Sequence, residues 1–176
     1  MLRSRQVYKG RVVDLRVEEV TLPNQTTISL EMVRHPGAAA VVPLHDDGWV
    51  TLVHQFRHAA GGFIWEIPAG KLDDGEAPGQ CAARELAEET GLAADELIRL
   101  GAVLTAPGFC DERIHLFLAR RLSPVAQRLE YDEVLTVERL PLARALEMIR
   151  AGDIEDAKTI AGLHHVAEFV RRERKT

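Results

Sequence analysis

Residues 70–92 of the chain read GKLDDGEAPGQCAARELAEETGL, an acidic, turn-rich loop followed by a pattern typical of a helix. The spacing of the apolar residues predicts a helix from Pro78 to Thr90. Gly91 comes next, where a residue in the left-handed conformation ends many helices. The sequence therefore predicts a loop and a helix in direct succession.

Three glutamates share one face of this predicted helix. Glu85, Glu88 and Glu89 are three and four residues apart, so their side chains project to the same side. Because like charges at this spacing repel, the arrangement requires exposure to water or a cation that neutralises it. Carboxylates without neighbouring His or Cys suit Mg²⁺ or Mn²⁺, which are often bound together with substrate phosphates. Charge alone is compatible with a solvated face and with a metal site.

Arg84 precedes these glutamates and is placed to hold acidic side chains. It can reach Glu88, one turn further along the helix, or Glu76 in the preceding loop. Hydrogen-bonding neighbours fix metal-ligating carboxylates in the same way. The combination favours a metal site whose substrate is a phosphate ester or a diphosphate.

Strand and helix patterns fill the rest of the chain. The first two predicted strands form a hairpin around turn residues, and the next two form a second hairpin with Asp-Gly at its tip. The pattern predicts an α/β or α+β fold with a mixed sheet between helices. Strands are predicted at residues 12–22, 28–35, 38–44, 49–58, 65–70, 98–104, 113–122 and 135–140, and further helices at 142–152 and 156–173.

Composition narrows the class of protein. With 176 residues, of which 46% are hydrophobic, the chain is long enough for one globular domain. A formal charge of −5 gives no electrostatic footprint for nucleic acid. No apolar run resembles a signal peptide or a membrane span, so we expect a cytoplasmic protein without a membrane partner. Two cysteines form neither a disulfide scaffold nor a zinc spacing.

The full spacing in residues 70–92 resembles the signature of the Nudix hydrolases. Gly70, Glu76 and the run Arg84-Glu85-Leu86-Ala87-Glu88-Glu89-Thr90-Gly91-Leu92 stand at each specified position. That family cleaves nucleoside diphosphates linked to another moiety. It holds divalent metal on a loop-helix-loop packed against a mixed sheet between helices. The resemblance therefore implies the Nudix fold and a catalytic role for this stretch.

The resemblance also implies a role for each residue of the motif. Glu85 and Glu89 would be the principal metal ligands, and Glu88 would share a metal or hold a water. The backbone carbonyl of Ala69 would complete the metal shell. Arg84 would orient carboxylates together with three further positioning residues: Glu76, Gly70 and Gly91.

Outside the motif, QFRH, WEIPAGKLDDGE and TAPGFCDE look like the ADP-ribose pyrophosphatase branch. Pro107 stands 15 residues beyond Leu92, close to a marker proline of that branch. The resemblance implies that Arg57 contacts the diphosphate, a task that suits a planar donor fork. Solvent exposure of Arg57 at a strand end is the alternative. The ribose side would be lined by Pro107, Gly108, Phe109 and Glu112. A core position is the alternative for Phe109, and contact with a metal or a partner subunit is the alternative for Glu112.

The branch implies hydrolysis of ADP-ribose to AMP and ribose 5-phosphate, with a carboxylate base from a late loop. That loop corresponds to residues 128–135, where Glu130 and Glu133 are the leading candidates and Asp132 is a third. Solvated loop acids are the alternative. Lys158, in a stretch that resembles the start of the last helix in this branch, would be structural or would face the substrate from a distance.

The sequence indicates the reaction more clearly than it indicates the nucleoside of the substrate. Some relatives stack adenine between tryptophans of the N-terminal strands, whereas the two tryptophans here are Trp49 and Trp65. Tyr8, Met32 or Arg34 would have to substitute for them. Hydrolysis of a GDP-sugar, FAD, NADH or a dinucleoside polyphosphate is therefore an alternative, and a non-catalytic ADP-ribose sensor is another.

The predicted hairpin at residues 12–35 exceeds a minimal Nudix domain. Similar enzymes use such strands to form an intertwined homodimer in which both chains contribute to each active site. We therefore expect residues 1–37 to be a dimerising β extension and residues 38–176 to be the Nudix hydrolase domain. The alternative is a hairpin folded on its own core.

Overall fold

The computed structural model describes residues 1–174, and these belong to two units. Residues 1–37 and 104–113 make up the first unit. Residues 38–103, together with the chain from Ile114 onward, make up the second. None of the helices among the described residues is long and apolar enough to cross a membrane.

The first unit contains a three-stranded sheet in the order β1-β2-β3, with β1 at Arg3–Lys9, β2 at Asp14–Thr21 and β3 at Thr27–Arg34. The predicted hairpin between residues 12–22 and 28–35 is confirmed, because β2 and β3 pair antiparallel from Asp14↔Arg34 to Thr21↔Thr27. Strand β1 was not among the predicted strands. All seven of its residues are exposed, so it lacks the alternating apolar pattern of a half-buried strand.

The second unit has two sheets, in the orders β10-β5-β6 and β7-β4-β9-β8. The second of these is mixed, because β4 pairs parallel with β9 and antiparallel with β7. The strand bounds are β4 Ala38–Pro43, β5 Trp49–Arg57, β6 Gly62–Glu66, β7 Ala69–Lys71, β8 Leu92–Leu104, β9 Arg113–Pro124 and β10 Leu135–Pro141.

The predicted second hairpin, between residues 38–44 and 49–58, is wrong in its pairing. Both strands exist, but they belong to different sheets and meet only at an isolated bridge between Leu44 and Val50. Strand β4 is buried along its whole length, and β7 and β9 occupy both of its edges. The strand predicted at residues 65–70 is likewise the end of β6 and the start of β7, separated at Pro68.

The three predicted helices are confirmed as α1 at Pro78–Thr90, α2 at Leu142–Ala151 and α3 at Ala157–Glu173. Alternate residues of β4 face opposite helices. Ala39 and Val41 pack in one buried cluster with Leu86 of α1. Ala40 and Val42 pack in another cluster, which includes Leu163 of α3 and residues of α2. The mixed sheet therefore lies between helices, as predicted.

Candidate active site

Helix α1 carries two glutamates that are buried despite their charge. Glu85 is 8% exposed and Glu89 is 2% exposed, whereas the side chain of Glu88 is 34% exposed. Ionised carboxylates are rarely buried without a partner, because the loss of water around them is costly. The face predicted from the spacing therefore divides into an inward pair and one partly exposed glutamate.

The short strand β7 touches both buried carboxylates. The backbone N–H of Ala69 donates to Glu89 Oε2 at 3.1 Å. The Glu85 carboxylate lies directly against the Gly70 backbone, in the space that a Cβ at residue 70 would fill. Cys81 is buried beside them, with its Sγ 3.5 Å from the carbonyl oxygens of Gly70 and Lys71. The residues before and inside the motif thus form one closely packed cradle.

Burial changes the proton affinity of this pair. It raises the pKa of Glu89 to about 8, and the neighbouring charge of Glu85 adds to the increase. Burial also raises the pKa of Glu85, against the opposing effect of the Arg84 guanidinium. A buried carboxylate with a raised pKa favours the binding of a cation, either a proton or a metal ion. Two such hard oxygen donors fit a divalent cation.

Arg84 joins the loop to the helix through several acidic partners. Its Nε and Nη2 donate to the two oxygens of Glu76, each at 2.9 Å. Its Nη1 donates to Glu85 Oε1 at 2.6 Å and to Glu88 Oε2 at 3.1 Å. Both partners that the spacing suggested for Arg84 are therefore contacted at once. The bidentate pair with Arg84 lowers the pKa of Glu76 to about 2.

The three glutamates of the helix are not gathered around one point. Within residues 1–174, no group of three or more His, Cys, Asp or Glu side chains has the arrangement of a preformed metal site. The guanidinium of Arg84 lies between Glu85 and Glu88 and bonds both. What the structure offers to a cation is therefore the buried pair Glu85 and Glu89, with Ala69 beside it.

Arg57, at the end of β5, belongs to the same region. Its Nε donates to Glu66 Oε2 at 2.9 Å, and its side chain is 42% exposed. Its positive charge lowers the pKa of Glu89, against the dominant effect of burial, so it acts on one member of the buried pair. Glu66 was not among the residues singled out from the sequence. The available signal was an acidic residue two positions before Pro68 in WEIPAG, at the end of an otherwise apolar strand.

The late acidic loop contributes one residue to this electrostatic group. The negative charge of Glu133 raises the pKa of both Glu85 and Glu89, after the larger effect of burial. Glu133 Oε2 also accepts the backbone N–H of Glu130 at 2.8 Å, which holds the loop in a turn. Glu130 is exposed. Glu133 is thus partly buried and acts electrostatically on the buried pair, whereas Glu130 is a more exposed residue of the same loop.

The predicted substrate loop lies in the first unit and is attached to β3. The backbone N–H of Val33 donates to the Phe109 carbonyl at 2.7 Å, and the N–H of Asp111 donates to the Val33 carbonyl at 3.2 Å. Glu112 Oε1 lies 3.6 Å from His35 Nε2. Phe109 is 57% exposed, so it is not a core residue. Pro107 and Gly108 are exposed as well.

The three residues considered as substitutes for an adenine-stacking tryptophan also lie in the first unit. Tyr8 is 59% exposed on β1, and Met32 is partly buried on β3. Arg34 is bound to Glu18 through two nitrogens, and its Nη1 donates to Asp111 at 2.7 Å. Arg34 thus fastens the substrate loop to β3. Tyr8 is the one of the three with an exposed aromatic ring.

Comparison with known proteins places these features in a family. The family model described as "NUDIX domain" matches residues 33–163. The ADP-ribose pyrophosphatase of Bacillus subtilis (strain 168) is 42% identical over 167 residues, covering 94% of this chain and 90% of that protein. The methanol dehydrogenase activator of Bacillus methanolicus is 41% identical over the same shares of the two chains.

A solved structure described as an ADP compounds hydrolase has the same fold. Its TM-score is 0.85 at 23% identity, and the match covers 99% of this chain and 95% of that one.

Proposed function

This chain belongs to the NUDIX domain family, and we propose on that basis that it hydrolyses ADP-ribose to AMP and ribose 5-phosphate. The observation that carries this proposal is the buried pair Glu85 and Glu89 on the signature helix, under the influence of Arg57. The near full-length similarity to an ADP-ribose pyrophosphatase supports the choice of substrate.

The metal proposed for the site is Mg²⁺, with Mn²⁺ as the alternative. Glu85 and Glu89 would hold it, and Glu88 and the carbonyl of Ala69 would complete the protein ligands. When bound, the ion would supply neutralisation of the diphosphate charge and a water of lowered pKa. The raised pKa of Glu89 supports this assignment, because a divalent cation offsets the cost of burying two ionised carboxylates.

Arg84 has the task of keeping Glu85 and Glu88 in fixed orientations. Its two bonds to Glu76 leave Nη1 to bind both helix glutamates, so the loop and the helix hold the same guanidinium. An arginine suits this task because its planar fork serves several acceptors without rotating. We therefore assign Arg84 to the catalytic machinery as an orienting residue and not as a substrate contact.

Arg57 is proposed to bind the diphosphate. Its Nε is occupied by Glu66, which leaves Nη1 and Nη2 as a pair of donors for phosphate oxygens. The charge of this fork would stabilise the negative charge that develops on the leaving phosphate. A side chain that is 42% exposed is accessible to a substrate from solution.

Glu133 is proposed as the general base, in preference to Glu130. A base must accept a proton from the attacking water while that water lies close to the metal ligands. Glu133 acts electrostatically on both Glu85 and Glu89, which supports its proximity to that position. Its hydrogen bond to the Glu130 backbone keeps the carboxylate oriented within an otherwise exposed loop.

The ribose side of the substrate is proposed to contact Pro107, Gly108, Phe109 and Glu112. The exposed ring of Phe109 supports a contact with a ligand, because large exposed aromatic side chains are common at binding surfaces. Anchoring of this loop to β3 through Val33 limits its movement. The loop would therefore present a fairly rigid surface.

We further propose a homodimer formed through residues 1–37, with residues 38–176 as the hydrolase domain. The exposed strand β1, which includes Val7 and Tyr8, supports this proposal because it leaves apolar side chains available to a second chain. The mass of the purified protein at micromolar concentration checks it, with twice the chain mass of 19.6 kDa expected. A monomeric mass would reject the proposal.

A cytoplasmic location is proposed as well. Both cysteines are free thiols, and unpaired buried thiols are typical of a reducing compartment.

The substrate assignment is tested with a panel of ADP-ribose, a GDP-sugar, FAD, NADH and a dinucleoside polyphosphate, each with Mg²⁺. AMP and ribose 5-phosphate are the expected products, with ADP-ribose the preferred substrate by kcat/KM. The Glu89→Gln protein, purified in parallel, controls for a contaminating hydrolase. Preference for another nucleotide would replace ADP-ribose as the substrate. Tight binding of ADP-ribose without any hydrolysis would instead identify a sensor.

A further inference from the structure

A buried ionic network lies behind Arg57 and reaches α3. Glu66, 4% exposed at the end of β6, receives two cations from different parts of the chain. Arg57 Nε donates to its Oε2 at 2.9 Å, and Lys158 Nζ donates to its Oε1 at 2.6 Å. The carboxylate therefore has one oxygen committed to each cation.

The contact through Nε fixes the direction of the guanidinium. Because Nε is the nitrogen nearest the aliphatic stem, its bond to Glu66 leaves the far edge of Arg57 pointing away from that carboxylate. Among residues 1–174, no hydrogen bond from Nη1 or Nη2 of Arg57 is seen, and the side chain is 42% exposed. Nη1 and Nη2 of Arg57 are therefore available to donate together to the oxygens of an anion.

Lys158 prevents Glu66 from neutralising Arg57 completely. Its Nζ lies 2.6 Å from Glu66 and 3.0 Å from Asp156, and Lys158 itself is only 9% exposed. Two cations and two carboxylates form the group, but Arg57 is the member at its exposed end. Removal of Lys158 would leave Glu66 with Arg57 as its cationic partner at hydrogen-bond distance and would lower the positive potential around the exposed end of Arg57.

Helix α3 is fixed to Ile67, the residue that follows β6, so Lys158 has a defined position beside this network. The Thr159 hydroxyl accepts the Ile67 backbone N–H at 2.8 Å and donates to Asp156 Oδ2 at 2.6 Å. Asp156 also caps the helix by accepting the Thr159 N–H at 2.9 Å. Because these three hydrogen bonds hold the start of α3, the backbone of Lys158 has a fixed position next to Glu66.

We infer that Glu66 and Lys158 are positioning residues for the diphosphate-binding arginine. Glu66 fixes Arg57 through Nε so that its terminal nitrogens face the substrate, and Lys158 shares the Glu66 carboxylate, so that this carboxylate offsets less of the positive potential at those nitrogens. The inference deepens the proposed function and rests on it, because Arg57 must contact the diphosphate of the substrate.

The test combines two measurements on Glu66→Gln, in the wild-type background and in Arg57→Ala. Binding of ADP in EDTA is measured by calorimetry, and KM and kcat for ADP-ribose are measured with Mg²⁺. Loss of a charged hydrogen-bond partner is expected to raise the Kd for ADP and the KM about tenfold, with kcat changed less than about threefold. In the Arg57→Ala background the same change should alter either constant less than about twofold.

Equal effects of Glu66→Gln in both backgrounds would overturn the inference, because they would show action that bypasses Arg57. Thermal unfolding shows whether Glu66→Gln folds. If it does not, Lys158→Met replaces it in the same cycle, with a smaller expected increase of several-fold in the Kd for ADP and in the KM. Glu168→Gln, which removes exposed ion pairs with Arg171 and Arg172 on the same helix, is the matched control and should leave both constants unchanged.

The two arms separate the inference from the proposed function. A wild-type protein that binds ADP but hydrolyses no ADP-ribose would reject the function, while the binding cycle would still decide the inference. A wild-type protein that does not bind ADP would overturn the inference even if hydrolysis is observed.

Discussion

The carboxylate of Glu85 occupies the space in which a side chain at Gly70 would begin. Glycine is required at residue 70 for this close approach and not for an unusual backbone angle, since residue 70 is not among the glycines with positive φ. The buried position of the Glu85 carboxylate therefore depends on the absence of a side chain at residue 70.

We expect Gly70→Ala to lower kcat/KM by about 100-fold or more. A methyl group at residue 70 overlaps Glu85, and displacement of a reacting group by about 1 Å has an effect of that order. Steady-state kinetics with ADP-ribose and Mg²⁺ measures the loss. Gly62→Ala is the matched control, because a Cβ there meets nothing within 4 Å, and its activity should be close to wild type. Near wild-type kinetics for Gly70→Ala would show that Glu85 is not needed in this position.

Glu89→Gln is expected to lower turnover by more than about 100-fold without loss of folding, because a neutral amide is a poor metal ligand. The amide oxygen still accepts the Ala69 N–H, so the local packing is retained. Turnover and thermal unfolding are measured on the same preparation. Full activity in this variant would eliminate the metal assignment of Glu89.

The stability of the metal-free protein should fall as pH rises from about 4.5 to about 8. In this range Glu89 is protonated when folded, because burial raises its pKa to about 8, whereas it is ionised when unfolded. The folded state therefore binds the extra proton, and the free energy of unfolding decreases with pH by on the order of a few kcal/mol. Denaturant unfolding in EDTA measures the slope.

Two controls accompany that measurement. Glu89→Gln has no proton to lose, so its unfolding free energy should be flatter across the same range. Addition of Mg²⁺ should stabilise the wild type more at pH 8 than at pH 5, because the metal competes with the proton. A wild-type stability that is independent of pH in EDTA would contradict the buried state of Glu89.

Glu133→Gln should lower kcat by about 10² to 10⁴ while the affinity for metal stays within a few-fold of wild type. The reason is that the proposed base accepts a proton without ligating the ion. Glu130→Gln, three residues earlier in the same loop, is the matched control and should retain most of the activity. The reverse order of effects would transfer the role to Glu130, and a large loss of metal affinity in Glu133→Gln would make it a ligand.

Local patterns predicted the helices well and the strand pairing only partly. Helix α1 begins and ends where the period and Gly91 indicated, because both signals lie inside the segment itself. The neighbours of β4 were not predictable in the same way. Its partners β7 and β9 lie far along the chain, so the nearby Asp-Gly turn indicated a hairpin that these partners exclude.

In the candidate site, too, local features were predicted and contacts between distant residues were not. The motif predicted that Glu85, Glu88 and Glu89 share a helix face, but not that burial separates Glu88 from the other two. The contacts of Arg84 with Glu76 and Glu88 were predicted from helix spacing and the nearby loop, whereas its bond to the adjacent Glu85 was not. The network of Glu66 with Lys158 joins residues 92 positions apart, and no local pattern connects them.

Cys81 allows the packing of α1 against β7 to be measured in the intact protein. Burial raises its pKa to about 12, so the thiolate needed for alkylation is scarce at neutral pH. The same thiol becomes an ordinary nucleophile only when α1 lifts away from the carbonyls of Gly70 and Lys71. The rate of Cys81 alkylation therefore reports how often α1 opens locally. A ligand that binds at Glu85 and Glu89 and stabilises the closed arrangement should lower this rate.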